Sequence, residues 1–108
     1  MSLDNSESID AIGIDKVSGD VILSIVDHWD WGEEERHLRA LQEKINSYFG
    51  FVEEGQIYTS YPDAKGRMLC IDIILKYQPT NNAVNFLKKA SEVAKQLDIK
   101  ITHRLHSS

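Results

Sequence analysis

The chain is short of most features that announce a function. One cysteine in 108 residues excludes an internal disulfide framework. Lying in an apolar run, Cys70 suits a reducing compartment, where a free thiol behaves as a small buried hydrophobe. No stretch is apolar for the roughly 20 residues that a membrane helix needs. The first ten residues have no basic start, apolar run or small-residue cleavage site, so no leader is expected and the expected compartment is the cytoplasm. The six glycines are scattered singly, which leaves no phosphate-cradling loop and no dinucleotide turn. Neither a G-x-S-x-G elbow nor a C-x-x-C pair occurs, and nothing places Cys70 at a helix start, where a thiol is activated. No cofactor is expected.

What is present describes one soluble domain, 42% hydrophobic and 27% charged, with a net charge of −5. That charge is uneven. Residues 1–56 carry thirteen acids against four bases, and residues 57–108 carry four acids against eight bases. The acidic half disfavours nucleic acid and suits either solubility or docking on a basic protein. A weaker reading makes Lys88, Lys89, Lys95, Lys100 and Arg104 a nucleic-acid accessory surface. Residues 1–9, rich in Ser, Asp, Glu and Asn, read as a disordered tail, and 10–106 as a single domain.

Periodicity orders the elements. Ile12 and Ile14 alternate with polar or small residues, Ser18-Gly19 offers a reversal, and 21–26 is β-branched, so a β-hairpin is expected. Leu38, Leu41, Ile45, Tyr48, Phe49 and Val52 recur at helical spacing, with Asp30 as candidate cap and Gly55 as stop. Residues 56–61 are rich in strand formers and precede a turn at 62–66, which suggests a second hairpin returning along 68–77. On that return strand Leu69, Ile71, Ile73, Leu75 and Tyr77 are assigned to the core face. A second helix capped at Thr80 or Asn81 runs to about Leu97, and a last strand spans 99–105, with His103 at the core edge and His106 in a frayed end. The expected fold is an α+β two-layer sandwich in ββαββαβ order, with a mixed sheet of about five strands and two helices on one face. The strands flanking the second helix should be parallel.

Three surfaces stand out as candidate sites. Asp27-His28-Trp29-Asp30-Trp31 collects both tryptophans, a histidine and two acids at a strand-to-helix junction. Asp27, His28 and Asp30, with His37 as a fourth donor, have the ligand types of a metal site, but their spacing matches no specific motif, and a capped corner with tryptophan packing explains them as well. If the chain stays extended, one of Trp29 and Trp31 is exposed, a binding anchor beside the acidic Glu33, Glu34 and Glu35. Tyr58 and Tyr61 form a second contact candidate. The third is the sheet face away from the helices, where Val26, Met68, Cys70, Asp72, Ile74 and Arg104 mix apolar and polar groups. Either the 56–66 hairpin and the tail cover it, or a second copy or another protein does. Asp72 is expected to pair across strands with Lys100 or Arg104.

Ile9-Asp10, Gly13, Asp27 to Trp31, Leu41 to Asn46, Gly55-Gln56, Tyr61-Pro62 and Tyr77-Gln78-Pro79 together resemble the pattern of a family of small bacterial domains of unknown function, over residues 9 to 105. The resemblance implies a compact intracellular protein and carries no catalytic residue. The sequence thus points to a non-enzymatic bacterial interaction module, working as a homodimer or as an acidic partner or inhibitor of a basic protein. The alternative is a small-molecule- or metal-dependent enzyme centred on Asp27, His28 and Asp30.

Overall fold

The computed structural model describes Leu3 and residues 5–106. The N-terminal hairpin forms as expected. Strands β1 (Ala11–Ile14) and β2 (Val21–Asp27) pair antiparallel, with Ile12 opposite Leu23. Their connection reverses at Gly19, whose φ of 78° is open to glycine, and the Asp15 carboxylate accepts the Val17 and Ser18 amides at 2.8 and 3.2 Å.

Helix α1 (Glu34–Glu53) follows the apolar stripe read from the sequence, burying Leu41, Ile45, Tyr48 and Phe49. Its start differs from expectation. Asp30 does not cap it, because its carboxylate accepts the Gly32 amide at 2.9 Å and closes the turn ahead of the helix. The helix runs through Gly50 and stops at Gly55, which adopts φ 79°.

The strand expected over 56–61 is instead helical. Helix α2 (Gln56–Ser60) leads into a 3-10 turn at Pro62–Ala64, with proline in the first turn. The apolar groups explain the choice. An extended chain would send Ile57 and Tyr58 to opposite faces, whereas one helical turn brings Ile57 fully into the core and lays Tyr58 and Tyr61 against it. Packing overrides the strand propensity of the segment. Among the described residues the protein is therefore α+β with a four-strand sheet and three helices, in place of five strands and two helices.

Strand β3 (Leu69–Leu75) enters the sheet between β2 and β4 (Ile99–Leu105) and is parallel to both. The sheet order is β1-β2-β3-β4. Helix α3 (Asn81–Gln96) connects β3 to β4, and its N-cap Thr80 accepts the Ala83 amide at 3.1 Å. Odd-numbered residues of β2 and β3 face the helices. Val21, Leu23, Ile25, Leu69, Ile71, Ile73 and Leu75 form one core with Leu41, Ile45, Tyr48, Ile57 and Leu87. Tyr77 and His103, expected on this face, are exposed, since Tyr77 lies past the end of β3 and His103 on the outermost strand.

Of the segment read as a tail, Met1, Ser2 and Asp4 lie outside the described residues. Leu3 is buried in the core, and the carbonyls of Asn5 and Ser8 accept bonds from Lys44.

Candidate functional site

Asp27 is the last residue of β2 and continues its inward row, so its carboxyl enters the core at the point where the chain leaves the sheet. His37, one turn into α1, meets it there. His37 Nε2 lies 2.5 Å from Asp27 Oδ2, and Nδ1 lies 2.9 Å from the Asp30 carbonyl. Both side chains are sealed from solvent. Trp31 stacks on the imidazole with centroids 3.6 Å apart, and Trp29 lies tilted at 5.6 Å. Arg36 covers the outer face of Trp29 at 4.8 Å.

The hydrogen bonds fix the protons. A carbonyl only accepts, so Nδ1 carries hydrogen, and Nε2 faces the carboxyl either as acceptor of its acid proton or as donor to its carboxylate. In both forms one proton sits between Asp27 and His37. Burial raises the Asp27 pKa above its ordinary value, against the lowering effect of the His37 bond and of the Trp29 amide bound at 3.0 Å. The arrangement neutralises two titratable groups and pins the β2-to-α1 corner.

Other sequence-predicted residues are placed around this pin. His28 and Asp30 are exposed and line a cleft of about 400 Å³ with Trp29, Glu33 and Arg36. Asp27 faces the core, so it does not join them in one donor set. Among the described residues no three His, Cys, Asp or Glu side chains converge as metal ligands. Trp29 and Trp31 are both half-buried against the core, where one exposed anchor was expected. Glu33 and Glu35 are exposed, while Thr80 and Asn82 bond the Glu34 carboxyl and lower its pKa.

A second polar pin was not singled out as a site from sequence. Lys44 is completely buried in α1, and its ammonium meets Asp10 Oδ1 at 2.9 Å and the Asn5 and Ser8 carbonyls at 2.7 Å each. Asp10 Oδ2 also accepts the Val26 amide at 3.0 Å. The neighbouring Tyr48 hydroxyl donates to the Ser24 carbonyl at 2.5 Å and accepts the Asp10 amide at 2.8 Å. Burial pushes that hydroxyl far above its ordinary pKa, so it remains a donor. The signal was available in the sequence: His37 and Lys44 occupy places in the same helical stripe as Leu41, Ile45 and Tyr48, where a charge requires a buried partner.

The sheet face away from the helices has no element packed on it among the described residues. Ile22, Val26 and Ile74 are half-buried there, and Met68 is 55% exposed. The expected ion pair forms: Arg104 Nε reaches Asp72 Oδ2 at 2.9 Å, and the Thr102 hydroxyl donates to Oδ1 at 3.1 Å. Cys70 is buried among them with its thiol pKa raised by desolvation. The 56–66 segment packs on the core side, so it does not cover this face.

A model of a family of unknown function matches residues 1–107. No curated protein and no solved structure matches the chain. Among the described residues no helix is long and apolar enough to cross a membrane.

Proposed function

Since the chain belongs to that family, DUF6572, whose description carries no reaction, we propose from its geometry that it is a non-enzymatic interaction module that pairs with a second copy through the open sheet face. The observation that carries this reading is the one-sided sheet: the helices pack on the odd-numbered face, and the opposite face keeps Ile22, Val26, Ile74 and Met68 in contact with water. Apolar groups grouped in this way favour a cover. The charges on the face are compatible with self-pairing, because Asp72 is neutralised by Arg104 and bonded by Thr102, and the exposed Lys100 lies on the outer strand, where its ammonium stays in water at the rim of a contact. The acidic stretch is a weaker docking surface, since Arg36 and Arg39 are interleaved with Glu33, Glu34 and Glu35.

The face measures about 23 Å along the strands and about 19 Å across them. That is below the usual footprint of a tight complex, about 800 Å² per partner, so the pairing is weak and concentration-dependent. Sedimentation velocity over a concentration series tests it. The native protein should shift toward dimer as concentration rises, and Ile74→Asp should remain monomeric with an unchanged circular dichroism spectrum. A native protein that stays monomeric up to about 1 mM, the weakest affinity worth the name, overturns the reading.

A further inference from the structure

We propose that the outer edge of β4, with the groove between β4 and α3, is a docking site for an extended acidic segment of another protein, which adds as a fifth strand. This surface is separate from the open face and does not depend on its pairing.

The ladder fixes which backbone groups are on offer. The Leu75 carbonyl accepts the His106 amide at 2.7 Å, and Leu75 pairs with Leu105. In a parallel ladder this directs the even-numbered residues of β4 toward β3, and the N–H and C=O of Ile101, His103 and Leu105 toward the free edge. The same three residues project their side chains to the helix side. Leu105 is 46% exposed and His103 is exposed, so a row of backbone groups and a row of side chains meet an incoming strand together.

Beside this edge runs a groove of about 400 Å³ whose apolar floor is Val84, Leu87 and Ile101. Its rim carries Lys88 and Lys95 against the single acid Glu92, with the His103 ring beside them. Lys100 adds positive charge on the other side of the strand, where it is exposed. In a chain of net charge −5, this local excess of cations selects an acidic partner. It also opposes edge-to-edge pairing of two copies, which would bring the exposed Lys100 of both β4 strands together. Edge strands are commonly guarded by prolines, bulges or lysines; β4 carries no proline, and its Lys100 guards the edge against a second copy while leaving it open to an acidic strand. The opposite edge is less suited: β1 has four residues against seven in β4. Strand addition of this kind takes affinity from the backbone bonds and specificity from alternate side chains.

The probe is a capped peptide of alternating valine and glutamate, with a valine and lysine peptide as its counterpart. Amide hydrogen exchange read by NMR gives the decisive signature. In the free protein the Thr102, Arg104 and His106 amides should exchange slowly and those of Ile101, His103 and Leu105 quickly. The acidic peptide should slow the second set. Lys88→Glu combined with Lys95→Glu should weaken its binding about tenfold or more. His103→Pro removes an outward amide from an edge strand, which such strands tolerate, and should abolish the protection. Equal binding of the lysine peptide, or acidic-peptide binding that leaves the odd-numbered amides unprotected, overturns the proposal. So does preferential binding of a single-stranded oligonucleotide, which would assign the cations to nucleic acid. Protection of the odd-numbered amides by raised protein concentration alone would assign the edge to a second copy and overturn it as well.

Discussion

Asp27 Oδ2 and His37 Nε2 lie 2.5 Å apart in a pocket closed to solvent, and the bond from His37 Nδ1 to the Asp30 carbonyl leaves room for one proton between them. The pair behaves as a neutral structural unit at the corner between β2 and α1, and its chemistry gives a substitution pattern that packing alone would not.

Asp27→Asn should fold and lose little stability. The asparagine amide donates to Nε2, and its oxygen keeps the Trp29 amide. Asp27→Ala should cost about 2 to 3 kcal/mol in urea unfolding, because it leaves the buried imidazole nitrogen and the Trp29 amide without partners.

The pH dependence of the same pair has a definite sign. Burial raises the folded-state pKa of Asp27 above its ordinary 3.8, so between those values the folded protein holds a proton that the unfolded chain has released. The stability of the native protein relative to Asp27→Asn is therefore fully present below about 3.8 and declines as pH rises through the raised value. The slope is at most about 1.4 kcal/mol per pH unit. Denaturation at a series of pH values measures it, and a difference that grows with pH contradicts the shared proton.

Lys44→Ala should be among the most damaging single changes, at about 3 kcal/mol, since it strands the Asp10 carboxylate and two carbonyls around a vacated buried site. Hydrogen exchange should locate the loss first in residues 5–10. Tyr48→Phe should cost about 1 to 2 kcal/mol by removing two bonds, and a double-mutant cycle with Lys44 should be non-additive because Asp10 is common to both.

Two glycines at the end of α1 should respond with opposite signs. At Gly50 an added Cβ meets only the flexible Glu54 carboxylate at 3.7 Å, so Gly50→Ala should stabilise by about 0.5 to 1 kcal/mol. At Gly55 space is open but φ is 79°, so Gly55→Ala should destabilise by about 1 to 2 kcal/mol. Thermal unfolding of the two variants separates helix propensity from the left-handed stop.

Much of the fold was legible because its signals are local. The hairpin, the stop at Gly55, the Thr80 cap and the alternation of β3 each depend on residues within a few positions of one another. The 56–61 segment was misread for the complementary reason. Its side chains are acceptable to a strand, and only the position of the core beside Ile57 made a helical turn the better burial. At the candidate site, the donors at 27–31 and His37 were visible, but that Asp27 bonds His37 in the core instead of joining His28 and Asp30 in one donor set depends on how β2 meets α1.

The sequence by itself determined the α+β class, the helix stripes, the parallel pairing of β3 with β4 and the mixed character of the far sheet face, because period and composition act along the chain. Tertiary structure alone decided that Asp27 turns inward to His37, that Lys44 is buried beneath the N-terminal segment, that both tryptophans pack, and that β4 is left at an edge. Those outcomes depend on which elements meet in space, where a charge must find a partner and a backbone group must find a bond.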